Sequence, residues 1–271
     1  MQVGLIAGSG ELPLILCRDA KERGCRVVAI ALEELAAPGI EGLADVTRWL
    51  GVGRLGEIIS TLKSYRITEA LMVGKVPKSL LYKKKVTPDI RAMKLLFSLK
   101  ERSDDALLRA LAAELEKEGI RLLDTASFSP HLLTPEGILS MRKPTREEWK
   151  DIEYGWKIAK EIGRLDIGQT VVVKERAVTA VEAIEGTDEA ILRGGSYAKG
   201  GGVVVKVSKP QQNMKLDVPV VGLNTLSSMA KVRASVLALE AGRSIMVGRD
   251  QMLSMAEAEG ISIVGVNEGS W

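Results

Sequence analysis

A buried strand that ends in a glycine turn and hands over to a helix is the feature that most limits what this chain can become. Val3 to Ala7 is apolar and runs into Gly8-Ser9-Gly10. A helical pattern follows from Leu12 to Arg23, carried by Leu14, Ile15 and Ala20, and Gly24 stops it. Arg26 to Leu32 then reads as a second buried strand. Strand, glycine turn, helix and strand in that order open a nucleotide-binding α/β fold, with the turn at the carboxyl end of the first strand. The alternation continues. Amphipathic Leu55 to Lys63 precedes a third strand, Glu69 to Val73, and helical segments at Ile90 to Lys100 and Asp104 to Glu118 precede a short strand at Arg121 to Asp124. Strands separated by helices imply a parallel sheet covered on both faces.

Ser127 to Glu136 carries two prolines and no periodicity, which places a domain boundary there. Residues 1–131 are expected to form a Rossmann-like domain and residues 132–271 a second α/β domain. In the second half, Thr145 with Glu148 three residues later predicts a capping box at the head of a helix to Gly163. Gln169 to Lys174, Arg176 to Glu182 and Gly202 to Val207 are valine-rich and read as strands, with a short helix from Thr187 to Arg193. The tail reads as strand Val218 to Gly222, helix Leu226 to Ala241, strand Arg243 to Val247, helix Asp250 to Glu259 and strand Ser262 to Val266.

Composition removes whole classes of function. The 271 residues can bury a sizeable core without disulfides or metals. Lys and Arg exceed Asp and Glu by 38 to 35, a net charge of +3 that gives no footprint for nucleic acid. The two cysteines, Cys17 and Cys25, form no CxxC, and the single histidine, His131, cannot build a His-rich di-metal phosphoesterase centre. The longest uncharged run is the thirteen residues between Asp217 and Lys231, short of the roughly 18 that span a bilayer. The N-terminus, MQVGLIAGSGE, lacks the basic head of a signal peptide. A reduced, cytoplasmic, soluble protein is expected.

Four places can carry chemistry. Gly8, Ser9 and Gly10 let a backbone approach a phosphate, with helix amides following; Pro13 stands where the dinucleotide fingerprint has its third glycine, so a tight structural turn is the competing reading. Lys75 follows the third strand on the same sheet edge and can meet a phosphate as a point charge, or be a plain loop lysine. Lys75 to Arg102 holds nine basic and two acidic residues, a local +7, and includes Ile90, Met93, Leu96 and Phe97 at helical spacing. That stripe either faces the core or rests on an anionic membrane. In the second half Asp217 opens the run Val218-Pro219-Val220-Val221-Gly222, where an acid can bind Mg²⁺, orient water, or merely cap a turn. Lys206, Lys209 and Lys215 lie near it in sequence, and Glu182, Glu185, Thr187 and Asp188 offer further oxygen ligands. His131 and Ser129 lack a GxSxG elbow, so a Ser-His-Asp hydrolase is not expected.

GLIAGSGELP, DDALLRALAAELEKEGIRLLD, QTVVVKERAVTAVEAIEGTDEAI and KLDVPVVGLNTL occur in this order along nearly the whole chain. Together they resemble the LpxI-type UDP-2,3-diacylglucosamine pyrophosphatases of lipid A biosynthesis. The resemblance implies hydrolysis of the substrate's pyrophosphate to UMP and 2,3-diacylglucosamine 1-phosphate (lipid X), with Mg²⁺ as cofactor and the lipid held in a substrate cleft between the two domains. By motif it makes Asp217 the catalytic and metal-binding acid. Gly8, Ser9 and Gly10 become the cradle for part of the UDP-sugar, and Lys75 and Lys206 electrostatic partners. Gln169, Thr170 and Thr187 become polar contacts. It also leaves open a homodimer and a peripheral contact with an anionic inner membrane. Two other readings stay open on the residues alone: a Rossmann-like nucleotide-sugar or dinucleotide binder, including an oxidoreductase, and a lipid carrier without turnover.

Overall fold

The computed structural model describes residues 1–77, 87–99, 104–216 and 218–271. Contacts divide the chain into two units. One is Met1–Pro130 with a short excursion that begins at Asn213; the other is His131–Gln212 with Val218–Trp271.

The first unit is built from β1 (Gln2–Ala7), α1 (Leu12–Glu22), β2 (Arg26–Leu32), β3 (Val46–Leu50), α2 (Leu55–Ser64), β4 (Glu69–Val73), α3 (Ile90–Ser98), α4 (Asp104–Lys117) and β5 (Arg121–Leu122). The strands form one parallel sheet in the order β3-β2-β1-β4-β5. All but the first residue of β1 and of β2 are buried, as a sheet covered on both faces requires. Ile6, Val28 and Ile30 meet Ile59 and Leu62 of α2, and Leu115, Ile120 and Leu122 close the same core. β3 escapes the sequence reading because Val-Thr-Arg-Trp-Leu shows neither a continuous apolar run nor a clean alternation; it is a half-exposed edge strand.

Two helices share one cap. The Asp89 carboxylate accepts the Ala92 amide at 2.8 Å as N-cap of α3, and the Gly56 amide in the first turn of α2 at 2.6 Å. Removing it strands two donors. Asp89→Ala is expected to lower stability by about 2 kcal/mol, at the upper end for a cap, as a shift of the urea midpoint with unchanged slope.

The second unit contains β6 (Gly137–Ile138), α5 (Arg146–Arg164), β7 (Thr170–Lys174), β8 (Ala177–Val181), α6 (Thr187–Ala198), β9 (Val203–Lys206), β10 (Val220–Val221), α7 (Leu223–Lys231), β11 (Val236–Glu240), β12 (Ile245–Met246), α8 (Arg249–Ala258) and β13 (Ser262–Val266). Its main sheet runs β6-β13-β11-β9-β7-β8. The three middle neighbours β13, β11 and β9 are parallel, while β6, β7 and β8 join antiparallel. β10 and β12 form a separate parallel pair. One face packs Val171, Val173, Val203 and Val205 against Ile152 and Trp156 of α5. The other packs Val172 and Val204 against Leu226, Met229 and Met252 of α7 and α8. The predicted capping box is present, with Glu148 N–H to Thr145 Oγ1 at 3.2 Å and Thr145 N–H to Glu148 Oε2 at 2.7 Å.

One expected element is corrected. The helix expected over Leu226 to Ala241 ends at Lys231, Arg233 turns left-handed at φ 53°, and Val236–Glu240 is a central, fully buried strand. Val-Leu-Ala-Leu-Glu fits a helix or a buried strand equally by period, and only its place between β9 and β13 decides. Among the described residues no helix is long and apolar enough to cross a membrane.

Candidate active site

Two constellations of polar residues stand at strand ends, one in each unit. In the first sheet the connections run outward from β1 through β2 to β3, then return to β4 on the other side of β1. The crevice between the carboxyl ends of β1 and β4 is therefore the switch point at which open α/β sheets bind ligands. Gly8-Ser9-Gly10 leaves β1 there, and Gly74-Lys75 leaves β4.

The two loops are zipped together. Gly8 N–H donates to Val73 O at 2.8 Å, Ser9 and Lys75 exchange backbone hydrogen bonds at 3.0 Å each way, and Ser9 Oγ donates to Lys75 O at 2.8 Å. A Cβ on Gly8 would lie 2.9 Å from the Gly74 carbonyl carbon, so the glycine is needed for this approach of two backbones. Gly10 differs: at φ +101° its absent Cβ would meet nothing within 4 Å, and its role is the turn into α1. The α1 N-terminus has no side-chain cap. Gly8, Ser9, Gly10 and the exposed Lys75 are thus brought to one edge, next to a helix start suited to an anion.

In the second unit, four residues chosen separately from sequence meet around a fifth. Thr170 of β7 is in register with Lys206 of β9. Glu182 follows β8, and its carboxylate accepts Gln169 N–H at 3.3 Å and Thr187 Oγ1–H at 2.8 Å. Lys206 Nζ donates to that same Thr187 oxygen at 2.8 Å and to Val220 O at 3.1 Å. Lys206 is 5% exposed and Glu182 7%. A buried cation and a buried carboxylate are held apart by one hydroxyl, which accepts from the first and donates to the second. Beside them the Thr170 hydroxyl and the Gln169 carboxamide oxygen are buried without a partner among the described residues. Natural proteins seldom leave such atoms unsatisfied, so they mark a place for water or ligand.

Breaking a buried, hydrogen-bonded charge arrangement from one side is costly. Lys206→Met is expected to destabilise by about 3 kcal/mol, and Glu182→Gln added to it to recover part of that loss. Urea unfolding of both singles and the double variant checks the coupling. Strictly additive losses would mean that Thr187 transmits nothing between the two charges.

The remaining acids do not gather. Glu185 takes the Arg193 guanidinium at 2.5 Å; its own backbone amide first, and then Arg193, holds its carboxyl below the ordinary range. Asp188 accepts from Thr225 Oγ1 at 3.1 Å. Lys209 is paired with Asp166 at 2.5 Å. Among the described residues no three His, Cys, Asp or Glu side chains form a metal-binding group. Asp217 lies outside the described residues; Val218 and Pro219 after it are buried and lead into β10. Glu182 and the Val220 carbonyl were not legible as Lys206's surroundings, because register and loop return bring them there.

The chain matches the LpxI N-terminal domain over residues 2–132 and the LpxI C-terminal domain over residues 135–264. It is 33% identical to the UDP-2,3-diacylglucosamine pyrophosphatase LpxI of Caulobacter vibrioides, across 98% of both chains. Among solved structures, phosphoribosylglycinamide synthetase from Anaerococcus prevotii is 16% identical at a TM-score of 0.28, covering 64% of this chain and 31% of its own. Glycinamide-RNase-transformylase T from Mycobacterium tuberculosis is 13% identical at 0.26, covering 68% and 44%. Likeness that low carries no argument. The two domain matches and the near full-length relative do: this chain belongs to the LpxI family.

Proposed function

We propose that this protein hydrolyses the pyrophosphate bond of UDP-2,3-diacylglucosamine, giving UMP and 2,3-diacylglucosamine 1-phosphate in lipid A biosynthesis. The observation that carries the reading is 33% identity over 98% of the chain to a Caulobacter vibrioides enzyme of that name. The geometry is compatible at both strand edges. Gly8, Ser9, Gly10 and Lys75 offer backbone amides and a cation to one part of the UDP-sugar. In the second unit Lys206, held by Thr187, is a buried cation beside the unpartnered oxygens of Gln169 and Thr170, and these four are the polar substrate contacts we propose there. Asp217 is the acid that aligns the attacking water or holds the metal.

Magnesium is part of this proposal. Glu182, Glu185 and Asp188 are each engaged by other donors, and no three-acid cluster exists among the described residues. The described residues therefore supply no tight all-protein cage. Mg²⁺ suits sparse ligation by one or two carboxylates, several waters and the substrate's own phosphates, which is what Asp217 would supply. When bound, the ion would draw charge from the non-bridging phosphate oxygens. We place the enzyme in the cytoplasm, meeting its diacyl substrate at the membrane surface.

Product analysis tests the reading. Purified protein with UDP-2,3-diacylglucosamine in detergent micelles should release UMP and the acyl sugar phosphate in equal amounts, read by mass spectrometry. Co-purified acyl sugar without turnover would favour a carrier, and nicotinamide or flavin absorbance would favour the dinucleotide reading.

A further inference from the structure

Strand β11 is apolar until its last residue. Glu240 closes it at 6% exposure, and β11 lies beside β9 with Leu239 in register with Lys206. Glu240 therefore stands next to the place where the chain leaves β9. Its carboxylate accepts the Ser208 amide at 2.7 Å and Lys160 Nζ of α5 at 2.6 Å. The same ammonium donates to the Ser208 carbonyl at 3.0 Å and lies 4.9 Å from the centre of the Trp156 ring. Arg243 Nε donates to the Ser208 hydroxyl at 3.3 Å. Ser208 is fully buried, and all three of its polar groups are held by charged side chains. The residues after it are moored beside the end of α5. Lys209 pairs with Asp166, Gln211 Nε2 donates to Gly163 O at 2.9 Å, and the Lys209 amide donates to Gln212 Oε1 at 2.8 Å.

Stability alone does not call for this pair. The cost of taking two charges out of water largely offsets their attraction, and two well-packed apolar side chains would fill the same space as well or better. What no apolar pair can do is hold the N–H and the C=O of one peptide residue at once. We infer that Lys160 and Glu240 are positioning residues for the proposed reaction: their ion pair fixes Ser208, and with it the course of the chain from Lys206 towards the segment that carries Asp217. Ser208 lies two residues beyond Lys206 and nine before Asp217. Each of the two charges is answered by the other, so the pair acts on the backbone between them rather than on substrate. The kinetic part of the inference rests on the proposed reaction and on Lys206 and Asp217 serving it. The hold on Ser208 stands apart from that reading.

Hydrogen exchange of the full chain reads the hold without any substrate. Lys160→Met should speed exchange of the amides in residues 207–212 by roughly tenfold or more, while those of β9 and β11 stay protected. On UDP-2,3-diacylglucosamine in micelles the same variant should lose roughly 10–100-fold in kcat with KM within a few-fold, the signature of groups misplaced in the transition state. Lys160→Met leaves Glu240 buried without its cation, so it also lowers the urea midpoint. Lys160→Met/Glu240→Gln removes both charges and keeps an acceptor for the Ser208 amide; it should recover the midpoint and not the kcat. Lys157→Met, which removes an exposed lysine paired with Glu153 on the same helix, should change neither. Unchanged exchange in residues 207–212 of Lys160→Met would overturn the inference. So would a wild-type kcat in the loosened variant, or a kcat that recovers together with the midpoint in the double variant, either of which would reduce the pair to a structural one. Wild-type protein that protects residues 207–212 and releases no UMP would overturn the reaction and sustain the hold on Ser208.

Discussion

Asp217→Asn is expected to lower kcat by on the order of 10²–10⁴-fold and leave KM within a few-fold of wild type. An acid that holds a metal or aligns water acts more strongly in the transition state than in the bound ground state, so its loss appears in kcat. The amide keeps the shape and hydrogen-bonding reach of the carboxylate and deletes only its charge, and circular dichroism should remain native. Steady-state kinetics on micellar substrate decide the matter. Turnover within a few-fold of wild type would reduce Asp217 to a turn acid before β10. The surviving candidate would then be Glu182, the buried carboxylate beside Lys206.

Activity should fall to background in excess EDTA and return on adding Mg²⁺ or Mn²⁺. The donors available are hard oxygens: the chain has one histidine, and both cysteines are buried and free. Full activity in excess chelator would leave Asp217 as a water-orienting acid and place charge neutralisation on Lys75 and Lys206. In that case Lys206→Met would lose far more turnover than its loss of stability explains. The chelator result and the Asp217→Asn result are therefore read together.

Much of this molecule was legible because its information is local. The strand, glycine turn and helix at the start, and the capping box at Thr145 and Glu148, depend on residues within a few positions of one another. The misread helix over Leu226 to Ala241 shows where locality ends. Lys231 to Ser235 contains no glycine or proline to announce a break, and Val236–Glu240 becomes a strand because β9 and β13 need a neighbour. β3 was missed for the opposite reason, being an edge with too little apolar signal.

The candidate sites divide in the same way. Gly8-Ser9-Gly10 is visible as a motif, yet its glycine at position 8 serves the contact with Gly74, which lies 66 residues away and emerges only from the pairing of β1 with β4. Gln169, Thr170, Thr187 and Lys206 could be chosen one at a time as polar residues at strand and helix ends. That one hydroxyl would link Lys206 to Glu182 follows from the β7–β9 register and the start of α6, which no spacing encodes. The α3 stripe carried a clear period and an ambiguous direction. Packing resolves it by burying Ala92 and Leu95 and leaving Ile90, Met93 and Phe97 in the open.

The claim beneath all of this is that the chain uses water to open a phosphoanhydride in a UDP-linked diacyl sugar. Turnover of UDP-2,3-diacylglucosamine in ¹⁸O-water, with mass spectrometry of both products, tests it most directly. The predicted result is UMP and 2,3-diacylglucosamine 1-phosphate, with a single ¹⁸O in one product's phosphate and none in the other, the labelled product naming the phosphorus attacked. Unlabelled products, label in neither phosphate group, or no UMP at all would contradict it.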